Sequence, residues 1–165
     1  MSLPMSSTDR IVKSVVLNAP RERVWRAISD STQFGTWFGM NLDGPFIAGK
    51  SITGRIAPTQ VDPEVAKLQE PHAGLAFDLL VDSIEPMNRF ALRWHPGAID
   101  PAVDYSREPM TLIEFVLEDA GAGTRLTITE SGFDRIPLAR RAAAREGNEG
   151  GWEHQLRLIA KYLER

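Results

Sequence analysis

The sequence of 165 residues contains no cysteine, which excludes a disulfide framework, a thiolate nucleophile and any cysteine-ligated metal site. That absence suits a reducing compartment, and the cytoplasm is the simplest expectation. Histidine is also scarce. His72, His95 and His154 are the only three, none at metal-ligand spacing, so neither a metal nor a cofactor is expected. There is no excess of positive charge: 19 Lys and Arg stand against 22 Asp and Glu, a net charge of -3. The broad cationic field that tracks a phosphate backbone is missing, and nucleic acid is not expected as a partner. No apolar run is long enough to cross a bilayer, so membrane insertion is not expected. The first ten residues lack the apolar stretch of a secretory signal. Residues 1–9 are read as a disordered tail or expression leader, because Met5 follows closely on Met1-Ser2-Leu3. No internal repeat or low-complexity tract is present.

What remains is an ordinary globular composition, 42% hydrophobic and 25% charged, sufficient to bury one continuous core over residues 10–165. Ile11 to Leu17 is a β-branched run that reads as a strand. Ala19-Pro20 ends it and opens a helix to about Ile28, whose apolar face is Val24, Ala27 and Ile28. Asp30 or Ser31 caps a second short helix carrying Phe34, Trp37 and Phe38 at i, i+3 and i+4. Gly44-Pro45 and Gly49-Lys50 flank short strands expected around Phe46 and from Ser51 to Ala57. The polar stretch from Pro58 to Gly74 is read as a loop with one helical turn at most.

Four strand-like runs follow: Leu75 to Ile84, Arg89 to His95, Thr111 to Glu118 and Thr124 to Ser131. The first two and the last two are joined by short links, which makes them antiparallel neighbours. Between the pairs, Pro96 to Pro109 is a long aperiodic excursion, a rim loop. A helical pattern interrupted by Gly147, Gly150 and Gly151 runs from about Pro137 to Arg165. Its later apolar face is Trp152, Leu156, Ile159 and Leu163.

This order of elements, with Ala19-Pro20, Val24-Trp25, Trp37-Phe38, FALRWHP from Phe90, TLIEFVLED from Thr111, GTRLTITESGF from Gly123 and Glu149-Gly150-Gly151-Trp152, resembles the activator-of-heat-shock-protein-90-ATPase homologue family. That family lies within the START-like (SRPBCC) superfamily. The resemblance implies an α+β helix-grip fold: a curved antiparallel sheet of six or seven strands wrapped around a long C-terminal helix, with two short helices after strand one. It also implies an apolar cavity between sheet and helix, in relatives that bind lipids, polyketides, hormones or aromatic compounds. It carries no shared catalytic constellation. Co-chaperone activity is a poor inference from the family's name, since a single domain is expected here, without the additional N-terminal domain of the eukaryotic protein behind it.

Strand parity places Phe90, Leu92 and Trp94 on one face, together with Ile113, Phe115 and Leu117, and with Leu126, Ile128 and Glu130. Taken as concave, this face makes Glu130 a lone carboxylate among apolar groups, a candidate acid, base or ligand-orienting group. Its alternative is a carboxylate that reaches water or pairs with an arginine at the sheet edge. His95 is the second catalytic candidate, turned to the convex face by alternation unless Pro96 swings it back. The candidate ligand-binding residues are Trp37, Phe38, Phe90, Trp94, Tyr105, Phe115, Ile128, Glu130, Asn148 and Trp152, with plain core packing as the alternative for the aromatic ones. Gly150-Gly151 costs the helix stability, about 1 kcal/mol per residue relative to alanine, and so calls for a reason: close approach to the sheet, cavity space, or a kink. Arg135, Arg140, Arg141 and Arg145 are expected to form a solvated face.

Three functions are compatible with these residues. The leading one is binding of an apolar or aromatic small molecule in an internal cavity. The others are a cyclase or dehydratase using Glu130, with or without His95, and a protein-interaction or chaperone-assisting module. A homodimer is a candidate assembly, because exposed sheet edges are commonly used in that way.

Overall fold

A computed structural model describes residues 8–165. The expected leader around Met1 to Met5 lies outside the described residues. The element order is β1 (Arg10–Leu17), α1 (Arg21–Ser29), α2 (Ser31–Phe38), β2 (Met40–Leu42), β3 (Ser51–Ile56), α3 (Pro63–Gln69), β4 (Ala76–Glu85), β5 (Arg89–Trp94), β6 (Thr111–Ala120), β7 (Gly123–Ser131) and α4 (Leu138–Leu163). All seven strands form one antiparallel sheet in the order β1-β7-β6-β5-β4-β3-β2. This is the expected α+β helix-grip architecture.

Local chemistry sets most of these boundaries. Pro20 stands just before α1 in an extended conformation, so its missing N–H deprives the helix of nothing. The Asp30 carboxylate accepts from the backbone N–H groups of Thr32 and Gln33, which fixes the start of α2 one residue after α1 has ended. Gly39 closes α2 with φ of +95°, a left-handed turn that glycine adopts without steric cost. From there the chain enters β2 directly.

Two expectations are corrected. The strand before β3 is Met40–Leu42 rather than a segment around Phe46, whose ring instead packs on Phe90 at 4.9 Å. The stretch from Pro58 to Gly74 holds a real helix, α3, opened by Asp62 accepting from Glu64 and Val65 N–H with Pro63 as first helical residue. A short 3-10 turn over Glu70–His72 follows it.

The core lies between the concave face of the sheet and α1, α2 and α4. Leu92, Ile113, Phe115, Leu126 and Ile128 point into it, as alternation requires, and meet Trp152, Leu156, Ile159 and Leu163 of α4. The middle of this space is filled by the protein's own rings. Phe34, Trp37, Phe90 and Phe115 are all buried, with the Phe34 and Trp37 centroids 5.1 Å apart and those of Phe90 and Phe115 6.0 Å apart. The Trp37 indole donates to the Ala27 carbonyl at 2.8 Å. A large empty cavity is therefore not what separates sheet from helix here.

A candidate aromatic cleft above a buried carboxylate

Glu130 lies near the end of β7, opposite Ile11 on β1 and Ile113 on β6, and its relative exposure is 0%. Four neutral side chains donate to it. Oε1 accepts from the Trp152 indole at 2.8 Å and from Asn148 Nδ2 at 3.0 Å, while Oε2 accepts from the Trp94 indole at 2.7 Å and Thr111 Oγ1 at 2.6 Å. Asn148 Nδ2 also reaches Oε2, at 3.2 Å. Neither water access nor an arginine at the sheet edge explains this carboxylate, which corrects the alternative drawn from its strand-end position. Burial pushes its carboxyl above the ordinary range, against the opposing pull of the four donors.

These donors come from three elements. Trp94 ends β5 and faces Thr111 at the start of β6 in register, and Asn148 and Trp152 are one turn apart on α4. Glu130 thus pins the long helix to the sheet by polar bonds in an apolar setting, where each bond is strong and each lost partner is expensive.

The two tryptophans it holds lie nearly parallel, with centroids 5.7 Å apart and planes 25° from each other. Phe38 stands 6.1 Å from each. Together with Asn148, Gly151 and Gln155 these rings line a recess of about 60 Å³. A second recess of about 190 Å³ shares Phe38, Trp94 and Gln155 with the first and continues past Met40, Phe77 and Leu68. A Cβ built on Gly151 would meet nothing within 4 Å, and the same holds at Gly147 and Gly150. Close approach to the sheet is therefore not the reason for these glycines, and α4 runs through them without a break. At Gly151 the missing side chain leaves the recess open.

Of the sequence candidates, Phe38, Trp94, Glu130, Asn148 and Trp152 come together here. Trp37, Phe90, Phe115 and Ile128 do not; they sit in the closed core and line neither recess. Tyr105 is outside both recesses, in the rim loop under the Arg140 guanidinium at 4.8 Å, and shares with Asn148 a separate depression of about 350 Å³. His95 makes no hydrogen bond to Glu130; its Nε2 lies 3.1 Å from the Glu108 carbonyl.

Arg135 is exposed, as expected of it, but Arg140, Arg141 and Arg145 are half-buried and bonded rather than a solvated face. Arg140 binds the Glu108 carboxylate and the Pro96 carbonyl, clasping the rim loop to α4. Arg145 binds Glu149 and the Arg10 carbonyl, and Arg141 the Ile136 carbonyl.

Two site residues escaped sequence reading. Thr111 shares the parity of Ile113 and Phe115, so its inward direction was legible. Gln155 is three residues after Trp152 and seven after Asn148, the same helical face.

A larger depression, about 650 Å³, is an open groove beside Trp25, Asp30 and Phe46, sharing no residue with the Glu130 cluster. Among the described residues no group of three or more His, Asp or Glu is arranged to hold a metal ion. No helix there is long and apolar enough to cross a membrane.

The family model described as "Activator of Hsp90 ATPase homolog 1-like protein" matches residues 18–164. No curated protein matches the chain significantly. Among solved structures, protein MLL2253 from Mesorhizobium loti is similar at TM-score 0.68 and 22% identity, over 94% of this chain and 97% of the other. The Aha1 dimer from Colwellia psychrerythraea is similar at TM-score 0.66 and 17% identity, over 94% and 96%. DynU16, a protein in the dynemicin biosynthetic locus, is similar at TM-score 0.66 and 25% identity over 94% of this chain. The chain spans about half of DynU16's length, 47%. These likenesses show a shared fold.

Proposed function

We propose, from the premise that the chain belongs to the activator of Hsp90 ATPase homolog 1-like family, that it binds a compact aromatic molecule in the cleft lined by Phe38, Trp94, Gly151 and Trp152. The observation that carries this reading is the aromatic recess left open at Gly151. Three rings give such a molecule a wall of fixed geometry, since two are bolted to Glu130 and cannot turn freely. Both recesses are smaller than the roughly 300–1,000 Å³ typical of sites for drug-sized ligands. An occupant of one or two rings is accordingly favoured over an extended lipid or polyketide.

In this reading Glu130 orients the wall and catalyses nothing. Its lone pairs are already occupied by four donors, and a proton shuttle would first have to break that shell. A dimer, the form in which the Colwellia relative was solved, is compatible with this role and independent of it.

The test is a fluorescence titration with one-ring and two-ring aromatics, using the native protein and a Gly151→Leu variant. Saturable quenching is expected in the native protein, weakened at least about tenfold in the variant, because the leucine side chain fills the opening. Binding of equal strength in both would place the ligand elsewhere and refute the reading.

A further inference from the structure

The hydrogen-bonding capacity of the cleft is lopsided, and that asymmetry bears on which aromatic molecules fit. The donors near it are spent: the Trp94 and Trp152 indoles and the Asn148 amide all point to Glu130. No cationic side chain lines the smaller recess. One buried acceptor, by contrast, is left without a donor.

Two glutamines converge on the Phe38 carbonyl. Gln69 donates to it from Nε2 at 3.0 Å and Gln155 from Nε2 at 3.1 Å, which uses both lone pairs of that oxygen and fixes both amides. Gln69 also accepts from Thr59 N–H at 2.7 Å through Oε1. The corresponding Oε1 of Gln155 is buried and has no hydrogen-bond partner among the described residues. Gln155 lines both recesses, so this unused acceptor belongs to a residue of the wall they share. A buried acceptor without a donor is costly, and a ligand that supplies the donor recovers the cost.

Resting on the aromatic-cleft reading above, we infer that the ligand is a neutral aromatic bearing one O–H or N–H donor, of the phenol, indole or arylamine class, whose donor is accepted by Gln155 Oε1. Its ring lies against Trp94 and Phe38. Anionic aromatics are discriminated against, since no cationic side chain lines the smaller recess, its indole donors are spent on Glu130, and Glu130 stands behind the tryptophans. Because Oε1 is covered, binding includes a small displacement of the side chains over it, and the donor reaches it as the ring slides in.

The experiment compares three ligands of one shape, 2-naphthol, 2-methylnaphthalene and 2-naphthoate, by calorimetry or fluorescence with the native protein and a Gln155→Met variant whose fold is verified by circular dichroism. The native protein is expected to bind 2-naphthol at least about tenfold more tightly than 2-methylnaphthalene, and 2-naphthoate most weakly. In Gln155→Met, which keeps the volume and removes the acceptor, the first two are expected to become equal. Equal binding of naphthol and methylnaphthalene by the native protein overturns the inference while leaving the aromatic cleft standing. Preference for naphthoate overturns it too. If none of the three binds, the cleft itself is refuted along with the inference. The comparison within the native protein stands even if the variant fails to fold.

Discussion

At the scale of residues, the arrangement turns on a carboxylate neutralised by dipoles alone. Two indole N–H groups, an amide and a hydroxyl surround Glu130, with no cation among them. Of the four donor atoms only Thr111 Oγ1 is able to accept as well, so the protonated form has one place to put its hydrogen bond unless the Asn148 amide turns. Burial raises the folded-state pKa of Glu130 above its unfolded value. The folded protein therefore holds that proton more tightly than the unfolded chain does. The stability this contributes is fully present below the unfolded pKa and is lost as pH rises through the folded one. Two outcomes are expected together. The indole N–H resonances of Trp94 and Trp152 shift with a common midpoint above the ordinary glutamate range, while that of Trp37, bonded to a backbone carbonyl, stays still. In Glu130→Gln the corresponding slope in melting temperature against pH disappears, and the variant is less stable by about 1–3 kcal/mol, because an amide cannot accept from every donor in the shell. Unchanged stability in that variant would remove Glu130 from its structural role.

At the scale of elements, α4 carries the most sequence-legible and the least legible features side by side. Trp152, Leu156, Ile159 and Leu163 are buried as their spacing requires. The glycines resist reading from sequence because a missing side chain has three structural uses, and periodicity does not distinguish close approach from open space. With nothing within 4 Å of a Cβ at Gly150 or Gly151, both are available to alanine without a clash. Gly150, exposed and outside both recesses, serves as the control: Gly150→Ala is expected to raise stability by about 0.5–1 kcal/mol in a denaturant melt and to leave aromatic binding unchanged. A loss of stability would mean that the helix is not continuous at this point. The rim loop is legible as a loop from its prolines, yet its clasp to α4 is not. Arg140 reaches Glu108 across 32 residues of sequence, and a charge cluster read along one helix gives no sign of a partner that distant.

At the scale of the whole molecule, alternation and helical spacing specify which side chains point inward, and from that the sheet, its concave face and the gripping helix. They do not specify how far helix and sheet stand apart. That distance depends on volumes filling three dimensions, and here Phe34, Trp37, Phe90 and Phe115 take up the interior. What stays open is a cleft at one end, where Gly151 withholds a side chain. Short segments are the other blind spot: three residues of β2 are too few to show alternation, so Phe46, a ring between turn glycines, reads as a strand centre in their place. The cap at Asp62 and the proline after it do announce α3, but its weak apolar pattern conceals the helix.

The claim that the cleft beside Glu130 is the binding site is most directly tested by a crystal structure of the protein soaked with 2-naphthol. The expected result is ring density between Phe38, Trp94, Gly151 and Trp152, with the hydroxyl within hydrogen-bond distance of Gln155 Oε1. Density confined to the groove beside Trp25 and Phe46, with the cleft unchanged, would contradict it.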